Sequence, residues 1–266
     1  MTDLDRAVVV LTGATGGFGR ELTRQLLQAG SSLILSDLDR SALDEYATQI
    51  GSETTGKILA CIESDLSCRE GCEDLYQKVK ALDVPVDLLI NNAGIGLFGR
   101  MDEVPADKWE RLMQVNLITP MRLSSLFVAE MIERRKGHIV NISSLAGWIA
   151  PEGMAHYSSS KFGLRGFSEG LFNEVKSYNV KVTIVYPFFS RTPILQSERF
   201  GMLAQSATGF PEHLATDPAK VMEQTIKAIV RDRLHVFPDR MARSIYLIKQ
   251  YFPKLYDSIA YRFTAK

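Results

Sequence analysis

Six short apolar runs recur along the chain, each followed by a polar stretch with helical spacing. They are AVVVLTG, SLILSD, KILACIESD, VDLLINNAG, GHIVNISS and KVTIVYP. All are rich in β-branched residues or leucine, and most end in Gly, Asp or Ser. Near-continuous apolar runs suit strands that are covered on both faces. The segments at 19–29, 41–49, 70–82, 109–135 and 154–178 repeat apolar residues at steps of three and four, which predicts helices. Strand-then-helix order predicts an α/β fold, a doubly wound parallel sheet of about seven strands with helices on both faces and right-handed crossovers. No linker, repeat or low-complexity stretch divides residues 1–266, so one domain is expected, with 1–192 as its core, 193–238 as a lid region plus the last strand, and 239–266 as a tail.

In that tail Met241, Ile245, Ile248, Phe252, Leu255, Ile259 and Phe263 fall at helical steps, and Pro253 is expected to kink or split the helix. Arg240, Arg243, Lys249, Lys254, Arg262 and Lys266 outnumber Asp239 and Asp257. Two readings stay open: a helix packed on its own domain or a neighbouring subunit, which is the commoner fate of an amphipathic helix, or a basic helix lying on an anionic membrane.

Charge and cysteine narrow the class. Lys plus Arg and Asp plus Glu number 31 each, so no global charge points to nucleic acid. Cys61, Cys68 and Cys72 form neither a disulfide framework nor a zinc spacing, and they read as reduced thiols. The start MTDLDRAVVVLTG lacks the features of a signal peptide, and no uninterrupted apolar stretch is long enough to span a bilayer. A cytoplasmic location is expected, with 239–266 as the route to peripheral membrane contact.

The first apolar run leads into LTGATGGFGRELTRQLLQAG. Strand, glycine-rich turn and helix in that order form the context of a dinucleotide phosphate site. Glycines permit a tight turn and the approach of a pyrophosphate, and a helix beginning near Phe18 would aim its amides at that anion. Gly13, Gly17 and Gly19, with Thr15 and Phe18 between them, are the expected cofactor contacts. The first gap is one residue longer than in the common fingerprint. Asp37 ends the second run, eighteen residues past Gly19, where a carboxylate can accept from both ribose hydroxyls and repels a 2′-phosphate. NAD is therefore favoured. Arg40 nearby keeps NADP open, and capping of the next helix is the alternative role for Asp37.

Tyr157-x-x-x-Lys161 places a phenol and an ammonium on one helix face. A cation there lowers the phenol pKa and suits it to proton transfer. A second copy, Tyr76-x-x-x-Lys80, shows how cheap the pattern is. Ser144, thirteen residues before Tyr157 at a strand end, separates the two, because Glu63 holds the same offset before Tyr76. Ser143 is the competing serine.

With these residues in place the chain resembles the short-chain dehydrogenase/reductase family. Thr12-Gly-x-x-x-Gly-x-Gly19, Asp65-Leu66, Asn91-Asn92-Ala93-Gly94, Asn116, Ser144, Tyr157 and Lys161 occur in family order up to about Thr192. The resemblance implies a single Rossmann-type domain and an NAD(P)-dependent oxidoreductase acting on an alcohol or ketone. It makes Tyr157 the acid/base and Ser144 the group that polarises the substrate oxygen. Lys161 would bind the nicotinamide ribose, and Asn116 would hold a water that relays protons from Lys161. Asp65 and Leu66 would lie at the adenine, Asn92, Ala93 and Gly94 along the adenosine ribose, and Pro187 and Thr192 at the nicotinamide. No metal is expected. The family usually has Pro-Gly where this chain has Pro187-Phe188, which adds bulk near the nicotinamide. Phe188, Phe189 and Trp148 suggest a hydrophobic substrate, steroid-like or acyl. MLAQSATGFPEHLATDP reads as a lid over the substrate crevice or a plain surface loop. A cofactor-binding regulatory protein without turnover is the competing class. The family's habit implies a homodimer or homotetramer through helices 109–135 and 154–178. The second of these shows Phe162, Leu164, Phe167, Leu171, Phe172 and Val175, more apolar surface than one sheet contact needs.

Overall fold

A computed structural model describes residues 1–50, 55–206 and 215–264. The middle of the expected lid, 207–214, lies outside the described residues, as does Lys266. Seven strands form one sheet: β1 (Val8–Thr12), β2 (Ser32–Asp37), β3 (Lys57–Glu63), β4 (Leu88–Asn91), β5 (Gly137–Ile142), β6 (Val180–Val185) and β7 (His235–Val236). Their order is β3-β2-β1-β4-β5-β6-β7, and every pair is parallel. The winding reverses between β1 and β4, which opens the crevice where such sheets bind ligands.

Alternation along each strand splits the core in two. Val9, Leu11, Leu33 and Leu35 face Leu22 and Leu26 of α1 (Gly17–Gln28) and Val221 and Met222 of α8 (Pro218–Val230). Val10, Ile34, Leu89 and Ile139 face the other side. There they meet Leu75 of α3 (Arg69–Lys80), Leu123 and Phe127 of α5 (Thr119–Glu133), and Leu171 of α6 (Ala155–Val175). Helix α2 (Arg40–Ile50) is capped by Asp39, whose carboxylate accepts from the Ala42 amide at 3.0 Å. Cys68 caps α3 through its sulfur, and all three cysteines are free thiols.

The helix expected over 109–135 is interrupted. Helix α4 (Ala106–Met113) runs into a five-residue π turn, Gln114–Ile118, before α5 begins. Pro120 has no N–H to give the Asn116 carbonyl four residues earlier, and the Thr119 amide donates to the Gln114 carbonyl instead. The combined stretch Ala106–Glu133 has 28 residues and meets the length and composition of a bilayer span, although charges such as Arg122 and Glu130 break its apolar run. Here it is a core helix, with Leu112, Leu123, Phe127 and Met131 buried against the fold.

Pro253 splits the tail as expected, into α9 (Arg240–Tyr251) and α10 (Pro253–Thr264), with the short α7 (Gly201–Ser206) earlier in the chain. The docked face of α9 differs from the expected stripe. Ala242 is fully buried, and Tyr246 packs on Phe237 with ring centres 4.1 Å apart and on Trp148 at 4.8 Å. Met241, Phe252 and Leu255 face solvent. Trp148, expected at the substrate pocket, is built into this aromatic cluster with Tyr186 and His235, and the Arg165 guanidinium lies 3.5 Å above its ring. Most of the excess apolar surface expected on α6 is also absorbed. Leu164, Leu171 and Val175 are buried, Phe167 and Phe172 pack on the same core, and Phe162 alone of the six is exposed, at 40%.

Candidate active site

The glycine-rich turn leaves β1 through Gly13, at φ +66°, a conformation glycine adopts at little cost. The protein's own structure already leaves no room for side chains here. A Cβ at Gly13 would lie 2.8 Å from the Ala93 Cα, and one at Gly17 would lie 2.6 Å from the Thr192 methyl. At Gly19 it would collide with the Gly13 carbonyl. Beside the turn, α1 starts after Gly16 with no side chain capping its first amides.

Two side chains fasten this turn to the rest of the sheet. The Thr12 hydroxyl accepts from the Asn92 and Ala93 amides, each at 3.1 Å. The Asn92 side-chain amide donates to the Thr12 carbonyl at 3.0 Å and the Gly13 carbonyl at 2.9 Å. Asp37 closes the other side, accepting from the Thr15 amide at 2.8 Å and the Thr15 hydroxyl at 2.7 Å. Since Asp39 caps α2, the capping role considered for Asp37 falls to its neighbour. Arg40 is engaged too, bonding Asp44 at 2.7 Å and the Cys61 carbonyl at 2.8 Å. Exposed Asp65 turns back on Ser67, whose hydroxyl and amide hold its carboxyl below the usual range. Leu66 is buried, and its carbonyl accepts from the Thr119 hydroxyl at 2.6 Å.

Beyond β5 the chemistry-bearing residues converge. Ser144 follows the strand, half buried, and its hydroxyl accepts from the Ala146 amide at 3.1 Å and faces the Tyr157 phenol, whose charged form it favours. Ser143 donates to the Lys161 carbonyl at 3.2 Å and serves the packing of α6. Tyr157 and Lys161 sit one turn apart near the start of α6, both buried. Lys161 Nζ donates to the Ile142 carbonyl at 3.0 Å and lies 5.7 Å from the Tyr157 ring centre. Burial pushes the phenol up to about 12, opposed by the Ser144 hydrogen bond, and pushes the ammonium down to about 8. The expected lowering of the phenol by Lys161 is therefore overridden: desolvation disfavours the charged form of both groups. The ammonium remains largely protonated at neutral pH.

Asn116 occupies the π turn, fully buried. Its amide oxygen accepts from the Ile95 N–H and its amide nitrogen donates to the Ile95 carbonyl, both at 2.9 Å. This clamp holds the loop after β4 so that a Cβ at Gly94 would sit 3.3 Å from Asn116 Oδ1 and 3.6 Å from Lys161 Nζ. The second tyrosine–lysine pair is structural: Tyr76 and Lys80 both bind Glu130 at 2.8 Å, tying α3 to α5.

At the end of β6 the Pro187 carbonyl accepts from the Leu145 amide at 2.9 Å. The Phe188 amide donates at 2.9 Å to Asp239, whose other carboxylate oxygen caps α9 through the Ala242 amide at 2.7 Å. Phe188 meets Phe189 edge to face. Sequence reasoning gave no role to Thr12, to the Ile142 carbonyl or to Asp239. Asp239, three residues before Ala242, carries the ordinary signal of an N-cap, but its bond to Phe188 is long-range. Among the described residues, no three His, Cys, Asp or Glu side chains are grouped as a metal ion would need.

An uncapped helix follows the glycine turn, a carboxylate stands at the β2 end, and half-buried Ser144 with buried Tyr157 and Lys161 lies across the crevice. Residues 7–202 match the short chain dehydrogenase family, and the chain belongs to it. Epidermal retinol dehydrogenase 2 of Mus musculus is 33% identical over 250 residues, covering 92% of this chain and 78% of that protein. The 3-ketodihydrosphingosine reductase of Bos taurus is 32% identical over 234 residues, covering 86% and 69%. A metagenomic short-chain oxidoreductase, solved in complex with NADP, is 28% identical with a TM-score of 0.72, covering 89% of this chain and 97% of that one.

Proposed function

We propose that this oxidoreductase interconverts a secondary alcohol and a ketone with NAD or NADP, using Tyr157 as its acid/base. The observation that carries the reading is the buried Tyr157 phenol, beside Ser144 and one helical turn from the Lys161 ammonium, at the C-terminal edge of the sheet. The dinucleotide supplies or accepts the hydride. Amides of Gly13, Thr15, Gly17, Phe18 and Gly19 suit its diphosphate, and Asp37 its adenosine ribose. Asp65 and Leu66 suit the adenine, and Asn92, Ala93 and Gly94 the passage between. Lys161 and Tyr157 suit the nicotinamide ribose, with Pro187 and Thr192 at the carboxamide. In reduction the Tyr157 hydroxyl donates a proton to the carbonyl oxygen while Ser144 hydrogen-bonds the same oxygen; in oxidation the phenolate takes the proton back. The Lys161 charge favours that phenolate. Asn116 holds the Ile95 loop beside Lys161, where a water would link the ammonium to solvent.

The substrate we favour is hydrophobic, with a steroid-like, isoprenoid or long acyl body. Phe188 and Phe189 beyond β6 support this, as do relatives named for retinol and ketodihydrosphingosine. A turnover screen of hydroxysteroids, retinoids, long-chain ketones and sugars with each cofactor tests it. Turnover confined to sugars overturns the hydrophobic reading, and cofactor binding without any turnover favours the regulatory class.

Asp37 is expected to select NAD. Charge repulsion toward a 2′-phosphate, with Arg40 held by Asp44, should leave NADH bound about tenfold tighter than NADPH, a difference of about 1.4 kcal/mol. Asp37→Asn should narrow the gap. Equal affinities in the wild-type chain, read by fluorescence titration, refute the assignment.

The chain is also expected to self-associate as a dimer or tetramer. The tail docks on Trp148 and leaves Phe162 open on α6, near Gly166 and Gly170, where an added Cβ meets nothing within 4 Å. Met121 of α5 is similarly exposed, at 37%. A twofold contact would cover both helices. Sedimentation at micromolar concentration should show an oligomer that Phe162→Glu disperses; a wild-type monomer rules it out.

A further inference from the structure

The C-terminal hairpin of α9 and α10 is apolar on two sides, and only one is covered. Ala242 and Tyr246 dock on the aromatic cluster. Away from it Met241, Leu247, Tyr251, Phe252 and Leu255 are 43%, 40%, 66%, 63% and 52% exposed. The last three gather at the bend around Pro253, so the tip of the hairpin carries two aromatic rings and a leucine in water. An exposed cluster of this kind marks an interaction surface.

Charge indicates the occupant. Segment 239–266 holds six Lys and Arg against two Asp, in a chain balanced at 31 and 31. Both acids are engaged: Asp239 caps α9 and holds Phe188, and Asp257 pairs with Lys249 at 2.8 Å. Arg240, Arg243 and Lys254 are exposed, and among the described residues none has a carboxylate within ion-pair distance. Lys254 stands at this apolar tip, and Arg240 and Arg243 lie at the other end of α9. Exposed aromatic rings and uncompensated cations on one segment match a lipid surface of negative charge, where rings settle at headgroup level and cations meet anionic headgroups. A second copy seated on the same patch would bring like charges together across the twofold.

We propose that the α9–α10 hairpin docks the protein on an anionic membrane surface, with Tyr251, Phe252 and Leu255 inserted among the headgroups, Lys254 beside them and Arg240 and Arg243 meeting anionic headgroups farther along α9. The root of the hairpin, Asp239, is bonded to Phe188 beyond the end of β6, the sheet edge that carries the site.

Co-sedimentation of the full chain with vesicles tests this, comparing phosphatidylcholine alone with phosphatidylcholine containing phosphatidylserine. Binding is expected at least about tenfold stronger to the anionic vesicles and should weaken as salt rises. The double variants Tyr251→Ser/Phe252→Ser and Arg243→Glu/Lys254→Glu should each lose that binding. Their Tm and circular dichroism should match wild type, because these side chains are exposed. No binding to either vesicle, equal binding to both, or variants that bind like wild type overturns the proposal. So does a change in lipid-free sedimentation of the variants with lipid binding intact, which would make the occupant a second copy.

Discussion

Tyr157→Phe should lower turnover by about 10²–10⁴-fold, the usual contribution of a positioned acid/base, while the affinity for dinucleotide stays within about twofold. The change removes one oxygen from a fully buried ring and leaves the packing of α6 intact. The side chain keeps its ring in place and loses only the group that gives or takes the proton, so the loss falls on proton transfer. Any residual rate should lack the wild-type pH dependence. The internal control is Tyr76→Phe, which gives up the bond to Glu130 and should cost about 1 kcal/mol of stability with no loss of turnover. Near wild-type turnover in Tyr157→Phe, measured with any substrate the native enzyme accepts, removes Tyr157 from the chemistry.

Gly19→Ala carries the second large effect. Its Cβ would meet the Gly13 carbonyl oxygen and would lie 2.8 Å from the Ala14 Cα, both backbone atoms of the same turn. No flexible side chain can swing aside. The turn must open, which costs about 1–3 kcal/mol, and for a domain of this size each kcal/mol lowers Tm by roughly 2–4 °C. Because the turn precedes the amides of α1, dinucleotide affinity should fall with stability, by about tenfold or more. Gly166→Ala is the contrast. It lies inside α6 with nothing near its Cβ, so alanine should match or raise Tm. A Gly19→Ala chain with native Tm and native NADH affinity contradicts the geometry described for the turn.

Six of the seven strands were legible because each is a nearly unbroken apolar run, the signature of strands covered on both faces, whereas β7 is only His235–Val236 and has no run to read. The Tyr157, Lys161 and Ser144 group was legible because spacing along a helix and position at a strand end are local facts. The π turn was not, although its cause is a single residue: Pro120 acts on the carbonyl four positions back, and helical periodicity does not register a missing donor. Thr12 escaped a role because its partners, Asn92 and Ala93, lie eighty residues on in sequence and meet it only once β1 and β4 pair. Asp37 and Thr15 were each singled out, yet their bond to one another joins two strand ends. The tail misled in the opposite way. Its regular stripe suggested the docked face, whereas Ala242 and Tyr246 dock because Trp148, Phe237 and Tyr186 offer an aromatic socket assembled from three separate segments.

The carboxylate of Asp239 grips the Phe188 amide with one oxygen and the first turn of α9 with the other. It works as a clasp between the last two helices and the loop where the family's usual glycine has been replaced. A glycine there would need such restraint more, having greater backbone freedom to lose; phenylalanine narrows that freedom, and the clasp fixes what is left. The C-terminal helices are thus mechanically in series with the end of β6. A load applied at the hairpin, whether by a bound surface or by a bulky fusion, reaches the loop beyond that strand by two routes, the Asp239 carboxylate and the packing of Tyr246 on Phe237 and Trp148 against Tyr186.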